Sequence, residues 1–279
     1  MNKFSITNES KLTIVEAHSG ISALLIDRAL RSAGTFPIHG IWISSLTETA
    51  SRGIPDKEIL GIETRLQLAE EIYHVTDLPI IFDLDTGGTA DQLAHRIRKI
   101  SMVGISAVVM EDKIFPKVNS FSLQAQGLEA AEVFAEKICI ARSQRRSSDL
   151  VIIARIEALI VGQTVQEALD RAILYTEAGA DAILIHSKSK TADQVVEFAR
   201  RYRQTPNVLP LVCVPTTYNC TSDQELFEVG FNMVIHANHL LRASMQAMQD
   251  AIESIRTTGS TSALEKQIYP LNDLLSITE

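Results

Sequence analysis

The amino-acid sequence predicts an α/β fold, a closed (β/α)8 barrel of parallel strands. Eight short apolar runs rich in β-branched residues alternate with eight longer segments that carry apolar residues at helical spacing. The runs are almost continuously hydrophobic, which is typical of parallel strands that are covered on both faces. The length of 279 residues is also close to that of one such barrel. A doubly wound open sheet is the alternative that the same pattern allows.

The strands are predicted from the apolar runs, in chain order. Polar residues, glycine or proline bound the runs and indicate the connecting loops. The predicted strands are Lys11–Glu16, Ile38–Ser44, Pro79–Asp83, Ala107–Glu111, Leu150–Arg155, Ala182–His186, Leu209–Val214 and Met233–His236.

The segments between the runs are predicted to be helices. Thr89 is a candidate N-cap before the helix Asp91–Val103, and Gly179 is a stop signal after Thr164–Ala178. The other predicted helices are Ile21–Ser32, Ile62–Tyr73, Leu123–Ser143, Ala192–Arg203, Ser222–Glu228 and Leu240–Arg256. We therefore expect a barrel over residues 1–256. Residues 257–279 are predicted to form a polar linker and a C-terminal helical segment that packs on the barrel or on a partner subunit.

Composition and charge argue against several classes of protein. The formal net charge of −8 argues against general nucleic-acid binding. No run approaches the roughly 18 apolar residues of a membrane helix, and the polar N-terminus lacks the apolar stretch of a signal peptide. Cys139, Cys213 and Cys220 form no metal-binding or disulfide spacing, which fits a reducing compartment. We therefore expect a cytoplasmic protein that acts on a small molecule.

Carboxylates end two neighbouring predicted strands, and the carboxyl ends of barrel strands meet on one face. Asp83 and Asp85 lie two residues apart, so both point the same way from an extended backbone. Glu111 ends the next strand, with Asp112 pointing away from it, and Asp56 follows the second strand. Such oxygen ligands suit Mg²⁺, with Mn²⁺ as an alternative. Helix capping by Asp85 is the competing explanation for the aspartate pair.

Two nitrogen-bearing side chains end the next two predicted strands. Arg155 ends the fifth strand, where an unpaired buried cation would be costly. Its planar fork suits a phosphoryl or carboxylate group, although a buried salt bridge to Glu157 or Asp83 is an alternative that can also hold. His186 ends the sixth strand and is able to donate a hydrogen bond to the same anion, and a purely structural histidine is the competing explanation.

The segment from Lys113 to Ser120 follows the fourth strand and is predicted to form a lid. In it, Lys117 is able to offset phosphate charge, Asn119 to donate to a transferring oxygen, and Ser120 to support that contact. A solvated loop is the alternative interpretation, above all for Lys113. The segment therefore predicts an anion-binding lid over a metal site.

These residues together resemble the phosphoenolpyruvate mutase family, within the isocitrate lyase and phosphoenolpyruvate mutase superfamily. The resemblance implies a (β/α)8 barrel whose last helix is exchanged between the subunits of a homodimer or homotetramer. It also implies interconversion of phosphoenolpyruvate and phosphonopyruvate, the reaction that forms the carbon–phosphorus bond in phosphonate biosynthesis. The matching segments are Glu16–Gly20, Gly40–Trp42, Asp83–Gly87, Glu111–Ser120, Ala154–Ala158, Gly179–Lys188 and Ala237–His239.

The resemblance further implies a role for each site residue. Asp83 would bind Mg²⁺ directly, and three other carboxylates would hold its water ligands. Backbone amides and side chains after the second strand would bind the pyruvate enolate, and residues of the barrel and the lid would hold the phosphoryl group. The water-holding carboxylates are Asp56, Asp85 and Glu111, the enolate-binding residues are Trp42, Ser44, Ser45 and Leu46, and the phosphoryl-binding residues are Asn119, Arg155 and His186, with Lys117 and Ser120 in support.

Phosphonopyruvate hydrolase, which gives pyruvate and phosphate, is the main alternative because it resembles the chain almost equally well. Its lid typically has Thr at the position of Asn119, so Asn119 favours the mutase. A carbon–carbon lyase of the superfamily is less well supported, because those enzymes carry a lid cysteine and this lid has none. The family commonly has aromatic residues at the positions of Gly88 and His236, and Gly at that of Ser45, so these departures affect the predicted shape of the pocket.

Overall fold

The structure is a computed structural model that describes residues 4–31, 34 and 37–277. Its strands pair in parallel in chain order, and the first pairs with the eighth, which closes the barrel. The predicted (β/α)8 fold is therefore confirmed, and the open sheet is excluded. The strands are β1 (Leu12–Glu16), β2 (Gly40–Ile43), β3 (Ile80–Asp83), β4 (Ala107–Glu111), β5 (Val151–Ile156), β6 (Ala182–Ile185), β7 (Leu211–Cys213) and β8 (Met233–His236).

All eight predicted helices are present, and one short helix was not predicted. The predicted end of the first helix, Ser32, lies outside the described residues. The unpredicted helix follows β2 directly, within a segment predicted to be a loop. The helices are α1 (Gly20–Leu30), α2 (Ser45–Ser51), α3 (Ile62–Tyr73), α4 (Ala90–Val103), α5 (Ala131–Gln144), α6 (Val165–Glu177), α7 (Asp193–Tyr202), α8 (Asp223–Val229), α9 (His239–Thr258) and α10 (Leu271–Leu275).

The start of the predicted helix Leu123–Ser143 is wrong, because the corresponding helix, α5, begins only at Ala131. The backbone before α5 pairs with the segment that follows β4. The Ile114 amide donates to the Gly127 carbonyl (3.1 Å), and the Glu129 amide donates to the Asp112 carbonyl (3.0 Å). These bonds occupy backbone groups that a helix would need. Local apolar spacing does not report such a long-range pairing.

The two predicted helix-end signals, Thr89 and Gly179, act as expected. The Thr89 hydroxyl accepts a hydrogen bond from the Gln92 amide and caps α4. Thr164, predicted as the first residue of its helix, is the N-cap of α6 and accepts from the Glu167 amide. Gly179 follows α6 with φ of +95°, a left-handed conformation that favours glycine. These ends fix the lengths of the helices that flank the site.

The interior of the barrel is filled by side chains from alternate strand positions. All eight strands contribute to this packed layer, so the barrel has no open pore. Space for a ligand therefore remains at the ends of the strands, and in a parallel barrel the carboxyl ends carry the chemistry. Members of the layer are Ile14, Trp42, Ile81, Val109, Ile153, Leu184, Val212 and Ile235.

The chain divides into two compact units, the second of which begins at His239. That unit contains α9, a 3₁₀ turn at Leu264–Lys266, and α10. Helix α9 continues to Thr258, two residues beyond its predicted end at Arg256, so the predicted linker starts later. The division at residues 256 and 257 and the exchange of the last helix stay predictions. In the described ranges, no helix combines the length and the apolar character needed to span a membrane.

Candidate active site

A cleft of about 470 Å³ opens at the carboxyl ends of the strands. The structure brings all 13 predicted site residues to this face. Two of them, Asp85 and Glu111, lie just behind the lining: Asp85 Oδ1 is 2.5 Å from Ser45 Oγ, and Glu111 Oε2 is 3.3 Å from a guanidinium nitrogen of Arg155. The other 11 line the cleft: Trp42, Ser44, Ser45, Leu46, Asp56, Asp83, Lys117, Asn119, Ser120, Arg155 and His186.

One side of the cleft is an acidic cluster, which comprises Asp56, Asp83, Asp85 and Glu111. Asp85 adopts φ of +54°, a left-handed conformation that costs a non-glycine residue roughly 1–3 kcal/mol. Helix capping does not explain it, because the N-cap of α4 is Thr89. The strained residue is held instead by the contacts of its carboxylate.

Lys117 of the lid inserts its ammonium group into the acidic cluster. Lys117 Nζ lies 2.6 Å from Asp85 Oδ1, 3.0 Å from Asp56 Oδ1 and 2.8 Å from Ser45 Oγ. The lysine is buried, and these acidic neighbours, Asp85 foremost, raise its pKa against the effect of burial. The lid therefore supplies a fixed positive charge to the carboxylates.

Arg65 of α3 is a second cation beside the acidic cluster, and the sequence analysis missed it. Its Nε donates to Glu48 Oε2 (2.8 Å), one of its terminal nitrogens lies 3.4 Å from Asp85 Oδ2, and its guanidinium stacks 4.4 Å from the ring centroid of Phe82. A signal was available, because Arg65 lies three residues after Ile62 on the buried face of α3. A buried arginine at an apolar position indicates a carboxylate partner.

The two aspartates at the end of β3 differ in acidity. Burial and the neighbouring charge of Asp85 raise the pKa of Asp83. Burial also acts to raise the pKa of Asp85, but Lys117 and Arg65 outweigh it and lower that pKa overall. The negative charge is therefore favoured on Asp85 over Asp83.

Glu111 completes the acidic cluster from the end of β4. Burial raises its pKa to about 8, against the opposing effect of Arg155. Its Oε1 is buried and has no hydrogen-bond partner, although such an acceptor normally finds one. A water molecule held by a cation would satisfy this oxygen and would favour the ionised carboxylate.

The acidic cluster fits a magnesium ion by its chemistry, since all its donors are carboxylate oxygens. Among the described residues, no three His, Cys, Asp or Glu side chains converge as direct ligands. Mg²⁺ does not require them, because it keeps several waters and takes one or two carboxylates directly. The unpartnered Glu111 Oε1 is the observation that favours such a hydrated ion.

The other side of the cleft carries Arg155 and His186. Arg155 Nε donates to Glu157 Oε1 (2.5 Å), so the salt bridge that the sequence offered as an alternative is present. The same guanidinium lines the cleft, so both interpretations of Arg155 hold. His186 Nδ1 lies 2.7 Å from the same Glu157 oxygen, and its ring edge packs on Phe121.

Lys113 is not the solvated side chain that the sequence offered as an interpretation. It is 1% exposed, and its ammonium group lies 2.9 Å from the Val118 carbonyl, 2.7 Å from Ser120 Oγ and 3.1 Å from Glu157 Oε2. The solvated interpretation fails because the lid folds back over its own first residues. Asp112 points away from Glu111 as predicted, towards Arg171, 3.0 Å away.

Asn119 contacts the loop between α2 and α3. Its amide nitrogen donates to Asp56 Oδ2 (2.6 Å), and its oxygen accepts from the Phe121 amide (2.9 Å). Glu58 of the same α2–α3 loop, which has φ of +53°, accepts from the Lys117 amide (3.1 Å). The loop therefore holds the lid at two points, and Glu58 is a residue that the sequence analysis did not select.

The departures from the usual family pattern have local explanations. Gly88 has φ of +79°, and a Cβ there would lie 2.4 Å from Gln92 Oε1, so a side chain would require Gln92 to move. Ser45 places its hydroxyl between Asp83 and Asp85. His236 lies 3.1 Å from Asp223, so it forms an ion pair when protonated.

Comparison with known proteins gives a consistent assignment. The family model for phosphoenolpyruvate phosphomutase matches residues 5–256. The chain belongs to the phosphoenolpyruvate phosphomutase family. The match covers the whole barrel and both sides of the cleft.

Relatives within the family differ in activity. The chain is 35% identical to phosphonopyruvate hydrolase from Variovorax sp. over 95% of its own length and 89% of that protein. The crystal structure of phosphoenolpyruvate phosphomutase from Streptomyces platensis subsp. rosaceus is similar, with a TM-score of 0.89 and 40% sequence identity. The match covers 96% of this chain and 91% of that chain. A structure of phosphonopyruvate hydrolase in complex with oxalate and Mg²⁺ has 35% sequence identity and a TM-score of 0.85, and the match covers 96% of this chain and 89% of that chain. These similarities establish an enzyme of this superfamily with a small-molecule substrate.

Proposed function

We propose that the protein is a phosphoenolpyruvate mutase, an isomerase that interconverts phosphoenolpyruvate and phosphonopyruvate in phosphonate biosynthesis. The observation that carries the proposal is the pairing, across one cleft, of the acidic cluster with the cationic side chain of Arg155, beneath a lid that carries Asn119. The two sides suit the two parts of the substrate, because a hydrated cation binds the pyruvate part and Arg155 the phosphoryl part.

The acidic cluster and α2 would bind the pyruvate part. Asp83 would bind Mg²⁺, with Mn²⁺ as an alternative, and the remaining carboxylates would hold its waters. The cation would supply charge that stabilises the enolate. The amide groups at the start of α2, at Ser45 and Leu46, would add donors to the same oxygen atoms, while Ser44 would assist the carboxylate and Trp42 would wall the pocket. The related hydrolase structure with oxalate and Mg²⁺ supports this assignment.

The opposite side of the cleft would hold the phosphoryl group during transfer. The bond between phosphorus and the enol oxygen breaks, and phosphorus then bonds to the methylene carbon of the enolate. Arg155, His186 and Asn119 would hold the three peripheral oxygens through this loose transition state, in which catalysis is mainly positioning and charge stabilisation. Lys117 and Ser120 would keep the lid closed, so that water does not capture the phosphoryl group.

Hydrolysis of phosphonopyruvate is the second candidate, since the hydrolase from Variovorax sp. is 35% identical. Asn119 favours the mutase, because its amide is able to donate to a phosphoryl oxygen as well as to Asp56. A carbon–carbon lyase has weaker support, because the lid has no cysteine. We further propose a cytoplasmic homodimer or homotetramer formed by exchange of α9, whose side chains Met248 and Ile252 are exposed.

The decisive experiment is incubation of the protein with Mg²⁺ and phosphonopyruvate, followed by ³¹P NMR. Phosphoenolpyruvate as the product supports the mutase. Inorganic phosphate with pyruvate would support the hydrolase instead. No conversion of phosphonopyruvate or of phosphoenolpyruvate would reject both.

Asn119→Ala and Asn119→Thr test the residue on which the choice of reaction depends. We expect Asn119→Ala to abolish turnover without unfolding the protein. Asn119→Thr, which removes the amide donor and shortens the side chain, should raise the proportion of inorganic phosphate among the products. Asn219→Thr is the matched control, because Asn219 is exposed and does not line the cleft. Unchanged turnover in both Asn119 variants would remove this residue from the mechanism.

A further inference from the structure

Glu157 lies at the centre of the phosphoryl side of the cleft, although it does not line the cleft. The residue is completely buried, and four polar side chains surround its carboxylate. They come from β5, from the residue after β6, from the residue two positions after β4 and from the lid. The contacting atoms are Arg155 Nε at 2.5 Å, His186 Nδ1 at 2.7 Å, Ser120 Oγ at 2.7 Å and Lys113 Nζ at 3.1 Å.

The carboxylate of Glu157 is ionised in this environment. Burial alone would raise its pKa, but Arg155 and His186 outweigh burial and hold the pKa well below its usual range. An ionised carboxylate only accepts hydrogen bonds. Every group that contacts it must therefore present a proton.

This requirement fixes the tautomer of His186. Its Nδ1 lies 2.7 Å from Glu157 Oε1 and 2.9 Å from a terminal nitrogen of Arg155. If Nδ1 accepted a proton from Arg155, its lone pair would face the Glu157 anion with no proton between them. With the proton on Nδ1, the ring donates to Glu157, and Arg155 still has Ser120 Oγ at 3.1 Å as an acceptor. Nε2, on the opposite edge of the ring, then remains for the substrate.

We propose that Glu157 is the positioning residue for phosphoryl binding: one buried carboxylate sets the imidazole tautomer of His186, aligns the guanidinium of Arg155 and ties both to the lid through Ser120 and Lys113. The proposal rests on the proposed function and deepens it. A second proton, taken from solvent at Nε2, lets the ring donate to the phosphoryl group. Burial and the charge of Arg155 lower the pKa of His186, and the Glu157 charge opposes them in favour of the imidazolium, as the buried aspartate does in a serine-protease triad.

A purely structural role for Glu157 makes different predictions. A buried ion pair that only stabilises the barrel would lower the melting temperature when broken, without changing the histidine tautomer. Asp112 offers the matched control, because it is also completely buried and is paired with Arg171 and Tyr175. Its Oδ1 accepts a hydrogen bond from the Glu157 backbone amide (2.9 Å), a contact that the Oδ1 of asparagine retains. Asp112 makes no polar contact with the side chains of Arg155 or His186.

The first test is the tautomer of His186 in the resting protein. Long-range ¹H–¹⁵N correlation spectra of ¹⁵N-histidine-labelled protein distinguish the two tautomers, and the His186 signal is assigned by its loss in His186→Gln. We expect the Nδ1–H form in the wild type and in Asp112→Asn. In Glu157→Gln we expect the Nε2–H form, because Arg155 then donates to Nδ1. An Nε2–H ring in the wild type would overturn the proposal, and this measurement needs neither substrate nor a stable variant.

The second test is kinetic. We expect Glu157→Gln to lower kcat roughly 100-fold, a typical effect of removing a residue that orients a contacting group. KM for the substrate should change much less, and the Mg²⁺ affinity measured by calorimetry should stay within about twofold, because Glu157 has no hydrogen bond to the acidic cluster. Asp112→Asn should keep kcat even if its melting temperature falls equally. The proposal would be overturned if Glu157→Gln lost no kcat, or lost no more kcat than Asp112→Asn does.

The two tests separate this proposal from the proposed function. If ³¹P NMR identifies another reaction, the His186 tautomer still decides the role of Glu157. If the wild type forms phosphoenolpyruvate but its His186 ring is in the Nε2–H form, only the proposed role of Glu157 is rejected. Should Glu157→Gln not fold, Glu157→Asp retains the charge and withdraws it from His186, and it should show the same fall in kcat with unchanged Mg²⁺ affinity.

Discussion

Replacing Lys117 with methionine tests whether the lid lysine and a divalent cation neutralise the same carboxylates. Lys117 Nζ lies 2.6 Å from Asp85 and 3.0 Å from Asp56, and all three side chains are at most 5% exposed. Removing one partner of a buried ion pair costs about 3–5 kcal/mol, because the other charge is left uncompensated. Methionine retains most of the apolar stem, so the charge is the main loss.

Magnesium should offset part of this cost. Because the variant loses a competing positive charge, we expect it to bind Mg²⁺ more tightly than the wild type. At saturating Mg²⁺, each tenfold gain in affinity recovers about 1.4 kcal/mol of the free energy of unfolding. Without the metal, the free energy of unfolding of the variant should therefore be about 3–5 kcal/mol below that of the wild type. Mg²⁺ should reduce this deficit by at least ~1.4 kcal/mol.

The assay is urea unfolding of both proteins in EDTA and in excess Mg²⁺, with metal affinity measured by calorimetry. Lys137→Met is the matched control, because Lys137 is also a buried lysine and pairs with Glu129 at 2.9 Å, outside the acidic cluster. It should lose stability equally in both buffers. If Lys117→Met also shows the same deficit with and without Mg²⁺, the lysine and the metal do not share these carboxylates, and the reasoning fails.

Three further predictions concern pH, assembly and local strain. The pKa of Glu111 is about 8 in the fold against 4.5 as its ordinary value, so the folded protein binds more protons between these limits. The metal-free protein should therefore lose stability as pH rises from about 4.5 to about 8, and Glu111→Gln should flatten this dependence of the melting temperature. Ile252→Glu places a charge on an exposed apolar position of α9 and should lower the molar mass measured by light scattering; an unchanged mass would exclude α9 from the subunit interface. Gly179 has φ of +95°, and a Cβ there would lie 2.1 Å from Arg142. Gly179→Ala should therefore reduce the free energy of unfolding, measured in urea, by at least about 1 kcal/mol. Gly61→Ala should cost less, because a Cβ at Gly61 would meet no atom closer than 3.8 Å.

The sequence predicted the barrel because its signals are local. Apolar runs identify parallel strands, and the capping residue Thr89 identifies where α4 begins. The convergence of the site residues on one face followed from the topology alone, since the carboxyl ends of all strands meet there. The start of α5 could not be predicted in this way, because the backbone before it pairs with the segment after β4.

The environment of the lid residues also depended on contacts distant in sequence. The burial of Lys113 depends on the lid folding back towards Val118 and Ser120 and on the approach of Glu157, directly after β5, and its sequence neighbours predict neither. Glu157 was visible from the sequence as the i+2 neighbour of Arg155. Its contacts with His186 and Ser120 were not, because they join the residue after β5 to the residue after β6 and to the lid.

The charges of the lid match the two sides of the cleft. Lys117 and Asn119 contact the acidic cluster, while Lys113 and Ser120 contact Glu157 on the opposite side of the cleft. Each side therefore holds the lid with charge-assisted hydrogen bonds, which contribute about 1.5–3 kcal/mol each when they involve an ionised group. Because one segment makes both sets of contacts, a change in charge on either side alters the free energy of lid closure. Substitutions in the acidic cluster and at Glu157 should accordingly both affect the exclusion of water, even though they lie on opposite sides of the cleft.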